Sequence, residues 1–119
     1  MARLPFAWGD RVRRKIADPW YKSPRWIALR EAVLRRDRYL CQDELRYGRR
    51  VGAETVHHVF PRNEFPEWEW APWNLIALSN QAHDAMHDRG TGALSKKGVE
   101  LLRRTSRKLG MEVPMRYRE

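Results

Sequence analysis

The sequence predicts an α+β fold, a short β-hairpin followed by a helix, with α-helices flanking this core on its N-terminal and C-terminal sides. Three observations predict it. Serines that can cap helices stand at positions 23, 79 and 95, each ahead of a helix-forming stretch. Two short runs of β-branched and aliphatic residues, "TVHHVF" at 55–60 and "NLIALS" at 74–79, have strand length and strand composition. Between them, "PRNEFPEWEWAPW" holds three prolines and three tryptophans, which suits a packed loop and neither regular element.

The elements follow in order. Residues 1–22 form a basic, aromatic arm with a short helical turn expected at 11–16, broken at Asp18-Pro19. Ser23 caps and Pro24 opens a helix that runs to about residue 36. Trp26, Ile27, Leu29, Val33 and Leu34 give it an apolar stripe, and Arg25, Arg35 and Arg36 are expected on its other face. Gly48 marks a turn before the first strand, and Pro61 ends that strand. Ser79 caps a short helix reaching about residue 89 and closed by Gly90, with His83 and His87 four apart on one face. A last helix begins near Ser95 and stops at Gly110. The whole of 1–119 is expected to be one domain: the arm at 1–22, a core with its preceding helix at 23–89, and a basic C-terminal helix and tail at 90–119.

Charge narrows the partners. The net charge is +9 and the pI about 10.4, a balance that favours phosphate-rich partners. Residues 1–50 carry +8, 51–95 carry −4 and 96–119 carry +5, so two basic arms bracket an acidic centre. One cysteine, Cys41, excludes an internal disulfide framework and a cysteine-based zinc site, and its solitude points to a reducing, intracellular (cytoplasmic) setting. Cys41 itself reads as a buried small side chain rather than a nucleophile. The sequence lacks both the apolar stretch of a signal peptide and a run long enough to span a bilayer, so no membrane partner is expected.

All four histidines, His57, His58, His83 and His87, fall within 31 residues, together with Asn74. A helix offers two imidazoles to one metal at i, i+4, and a third ligand would come from the strand. In the order "YKSPRW", "VHHV", "NLIAL" and "H-x-x-x-H", over about 21–89, the sequence resembles the HNH family of nucleases. The resemblance implies a ββα-metal fold, a hairpin packed on a short helix that clamps one divalent cation.

The roles it implies are specific. His57 and His83 would bind the metal, with His87 as third ligand at a position that binds metal in some members and contacts phosphate in others. His58 would be the general base, a task suited to imidazole near neutral pH. Asn74 would hold the loop and orient His58 through its amide. The implied chemistry is one-metal hydrolysis of DNA phosphodiester bonds, leaving 5′-phosphate and 3′-hydroxyl ends, with Mg, Mn, Ni, Co or Zn as candidate ions. Double-stranded DNA is the expected partner, and phage packaging machinery the setting the resemblance suggests. Arg25, Arg35, Arg36, Lys96, Lys97, Arg103 and Arg104 are the candidate nucleic-acid contacts.

The sequence departs from the family at its zinc staple. Many phage-type members carry two C-x-x-C pairs where this chain has Cys41, Glu44, Ser79 and Ala82, so a four-cysteine structural zinc is excluded. Trp68, Trp70 and Trp73, with Phe60 and Phe65, are expected to pack over the hairpin in its place. The alternatives are a catalytically silent nucleic-acid-binding module on the same scaffold, which would have no use for His58, and a toxin nuclease domain.

Overall fold

The computed structural model describes residues 18–118. The helical turn expected at residues 11–16 lies outside them. A 3-10 turn at Pro19–Lys22 leads into α1 (Pro24–Arg36), which Ser23 caps by accepting the Trp26 N–H at 3.2 Å. Arg38 and Tyr39, both at positive φ, turn the chain out of α1 and into a one-turn helix, α2 (Gln42–Leu45). Then follow β1 (Thr55–His58), 3-10 turns at Pro66–Trp68 and Pro72–Asn74, and β2 (Leu75–Leu78). The short helix α3 (Asn80–Ala85) and the longer α4 (Lys96–Lys108) complete the set, with a last 3-10 turn at Met115–Tyr117. Among the described residues, no helix is long and apolar enough to cross a membrane.

β1 and β2 form an antiparallel hairpin in which Thr55 pairs Leu78, Val56 Ala77, His57 Ile76 and His58 Leu75. Alternation puts Val56, His58, Leu75 and Ala77 on one face and Thr55, His57, Ile76 and Leu78 on the other. Trp26, Val33 and Leu34 of α1 cover the first face, joined by Ala53. The second face belongs to a cluster of Leu78, Ala82, Met86, Leu101, Leu102 and Tyr117, with Cys41, Val59 and Phe60. The hairpin is thus the middle layer between α1 and the α3–α4 pair.

Several expectations are corrected. The first strand stops at His58, because Asn74 intercepts the chain beyond it: the Asn74 carbonyl takes the Val59 N–H, and its side-chain oxygen takes the Phe60 N–H. Ile27 is 54 % exposed and leaves the apolar stripe. Arg36 is exposed as expected but is also engaged: its guanidinium donates to the Pro72 and Leu75 carbonyls while Asp37 accepts the Ala77 N–H. Together they satisfy the outer edge of β2, which would otherwise expose unpaired backbone groups. The tryptophans divide: Trp68 and Trp73 pack edge-on to Phe60, whereas Trp70 lies 4.5 Å from Trp20 on the α1 side, beneath Arg25.

α3 is shorter than expected, ending at Ala85 rather than near residue 89. Ser95 explains this, since its hydroxyl donates to the Ala85 carbonyl at 2.6 Å and its N–H to the Met86 carbonyl at 2.8 Å. The same hydroxyl accepts the Gly98 N–H, so one serine closes α3 and opens α4. His87 therefore sits just past α3, in an isolated bridge with Leu94.

Candidate metal centre

Three elements bring three imidazoles together: His57 from β1, His83 from α3 and His87 from the turn after it. Their rings stand 5.2 Å apart pairwise, and one nitrogen from each lies within 4.8 Å of the others. His57 is 1 % exposed, and its Nε2 has no hydrogen-bond partner. A buried polar nitrogen left unpaired costs about 1–3 kcal/mol, so a cation bound there would relieve a real deficit. His87 is oriented by its other nitrogen: Nδ1 lies 3.2 Å from the Gly92 carbonyl, and because a carbonyl can only accept, Nδ1 carries the proton and Nε2 keeps its lone pair. Gly92 reaches that position at φ +79°, a conformation glycine adopts without strain. The three nitrogen donors fit a divalent transition-metal ion better than magnesium, which prefers oxygen.

His58 leaves the strand on the opposite face. Its ring stacks on Trp26 at 5.4 Å and meets Trp20 at 5.5 Å. The same acceptor logic applies, since Nε2 donates to the Glu69 carbonyl at 3.1 Å and Nδ1 is left as the proton acceptor. Asn74 does not bond His58. Its amide donates to the Phe60 and Trp68 carbonyls, which fixes the loop on which Glu69 stands, so its influence on His58 passes through that loop.

Burial first, then the neighbouring His83 and His87, hold the His57 pKa well below the usual histidine value. His58 is also lowered, by burial above all, with the Glu69 carbonyl opposing and the Arg62 charge assisting. His83 follows for the same first reason, with His87 contributing. Neutral imidazoles are the form that can ligate a metal or accept a proton.

A cavity of about 450 Å³ joins the two sides. The consecutive residues Thr55, Val56, His57 and His58 all line it, because it runs along the outer edge of β1 and is reached from both faces. Arg30 and Arg62 also line it, and sequence reasoning missed both. The predicted basic contacts lie elsewhere. Arg25 stacks on Trp70, Arg35 pairs with Glu31, Lys97 with the buried Asp43 at 2.9 Å, and Arg103 donates to the Tyr117 carbonyl. Lys96 and Arg104 line a separate basic hollow with Arg46 and Tyr47.

No protein-family model and no curated protein matches the chain. Among solved structures it is similar to the HNH endonuclease of the deep-sea thermophilic bacteriophage GVE2, a crystal structure with manganese ion. The identity is 28 %, the TM-score 0.55, and the match covers 68 % of this chain and 88 % of that one. The hairpin, the helix packed on it and the gathered histidines accord with that likeness, which supports the HNH resemblance and gives the chain a ββα-metal type of fold.

Proposed function

We propose that the protein is a metal-dependent endonuclease that hydrolyses DNA phosphodiester bonds, acting on the double-stranded form. The observation that carries this reading is the placement of a three-imidazole cluster and a proton-accepting His58 along one cavity. His57, His83 and His87 would hold a divalent cation, with manganese, nickel, cobalt and zinc suited to the donors and magnesium less so. When bound, such an ion supplies positive charge to the phosphate oxygens and to the departing oxygen. His58 takes the proton of the attacking water on Nδ1, while the Glu69 carbonyl fixes its tautomer and the Trp26 ring fixes its plane. Asn74 acts at a distance by anchoring the loop. The bond broken leaves 5′-phosphate and 3′-hydroxyl ends. Lys96, Arg104 and the exposed Arg25 and Arg35 supply non-specific attraction to the backbone.

Purified protein with Mn²⁺ or Ni²⁺ should nick or cut supercoiled plasmid, and EDTA should stop it. His58→Ala should slow cleavage by roughly 10²–10⁴-fold, the usual worth of a positioned general base. Binding without cleavage by the wild type, under every metal tried, would instead mark a silent DNA-binding module.

A further inference from the structure

The cavity contains more than its histidines account for. Arg62 lines it four residues after His58, and its guanidinium is held in a defined plane, 4.4 Å from the Trp20 ring centroid and 5.1 Å from that of Tyr21. Its carboxylate partners are Asp18, in direct contact, and Glu69 at 3.6 Å. Asp18 is about half exposed and bound at two points: Oδ1 accepts the Trp20 N–H at 2.9 Å, and Oδ2 meets Arg62. At the other end of β1, Arg30 lines the same cavity, and its Nη2 donates to the Glu54 carbonyl at 2.7 Å. No carboxylate pairs with Arg30 among the described residues.

We infer that Arg62 is a phosphate-binding residue of the cavity and that Asp18 occupies, in the free protein, the place a substrate phosphate takes, with Arg30 gripping the same nucleic-acid strand at the opposite end of β1. The chemistry favours this exchange. A phosphate oxygen and a carboxylate oxygen present the same charge and hydrogen-bond geometry to a guanidinium, so one can replace the other without Arg62 leaving its stack. An ion pair as exposed as this contributes little to stability, typically under about 1 kcal/mol, so its displacement costs little. Aromatic faces hold the guanidinium in place, and the adjacent Asn63 and Tyr21 line the same cavity. The strand path is set by β1, whose four residues span about 13 Å at roughly 3.3 Å each, enough for more than one phosphate along the edge.

This inference rests on the nuclease reading for its catalytic consequence but not for the contact itself, and the test separates the two. Wild type, Arg62→Ala, Arg62→Lys and Asp18→Asn are compared in two assays: nicking of plasmid with Mn²⁺, and binding of a labelled duplex in EDTA across a salt series. Asn at position 18 keeps an oxygen for the Trp20 N–H and removes the charge. Arg62→Ala should reduce nicking at least tenfold and flatten the log–log salt slope by about 0.9, the loss of one phosphate contact. Arg62→Lys should restore the slope but only part of the rate, and Asp18→Asn should bind duplex more tightly than wild type. A wild-type slope in Arg62→Ala, or binding weakened by Asp18→Asn as much as by Arg62→Ala, would overturn the assignment. A wild type that never nicks, alongside a flattened slope in Arg62→Ala, would sustain the phosphate contact and defeat the nuclease reading.

Discussion

At the residue scale, adjacent imidazoles leave β1 on opposite faces yet border one cavity, and the reason is that the cavity follows the strand's outer edge. No bulge is needed to bring the pair to it: β1 ends at His58 with its four-pair register unbroken. The division between the two histidines can be measured. Nickel at a hundred times its Kd should stabilise the wild type by about 2.7 kcal/mol and raise its melting temperature by several degrees. His57→Ala should lose most of that rise, while His58→Ala should keep it and lose cleavage. An undiminished rise in His57→Ala, read by thermal melts with and without EDTA, would place the nickel elsewhere. The histidine cluster was legible in sequence because helical spacing and strand composition are local signals. Arg30 and Arg62 were not, since a cation's place on a cavity rim depends on which elements meet, and nothing local marks it.

At the element scale, three serine caps read from sequence are the caps found: Ser23, Ser79 and Ser95 each accept the N–H three residues on. Caps are legible because the bond is made within one turn. The end of α3 was misjudged for the converse reason, since Ser95, ten residues beyond Ala85, supplies the acceptors' partners. The fit between α3 and α4 is close. A Cβ added at Gly98 would stand 2.3 Å from the Met86 carbonyl oxygen, and a backbone atom cannot swing aside as a side chain does. Alanine is the better helix former by about 1 kcal/mol, yet Gly98→Ala should destabilise, by roughly 1–3 kcal/mol, as overpacking does. A melt equal to or above the wild type's would show that the α3–α4 contact yields easily. Because Met86 precedes His87, the same variant should also weaken nickel binding.

At the scale of the whole molecule, the chain after α4 returns to the loop between the strands. The Tyr117 hydroxyl donates to the Glu64 carboxylate, whose oxygens lie 2.7 and 2.8 Å away, and Arg116 pairs with the same group. Burial, then the bond to Glu64, pushes the Tyr117 pKa up to about 12 from the ordinary 10. The folded state thus holds this proton more tightly than the unfolded state. Its contribution is complete below pH 10 and is lost as pH rises from 10 through about 12. Tyr117→Phe should lower stability near pH 8 by about 1.5–3 kcal/mol, the worth of a hydrogen bond to a charged group, and the gap to wild type should narrow above pH 10. Denaturant titrations followed by tryptophan fluorescence would test it; a gap unchanged from pH 8 to 11.5 would mean that the hydroxyl plays no such part.

The four positions set against the zinc staple that the resemblance implies, 41, 44, 79 and 82, hold the fold by other means. Cys41, 0 % exposed, and Ala82 lie in the core beside Leu102, Ser79 caps α3, and Glu44 pairs with Arg49 at 2.6 Å. Such ties have no thiolate for peroxide to oxidise, and the single thiol is sealed from solvent. The scaffold should therefore stay folded through oxidative stress or a chelator wash that would dismantle a cysteine-bound zinc, and at the imidazole cluster, on the nuclease reading, loss of a bound ion would silence the protein without unfolding it.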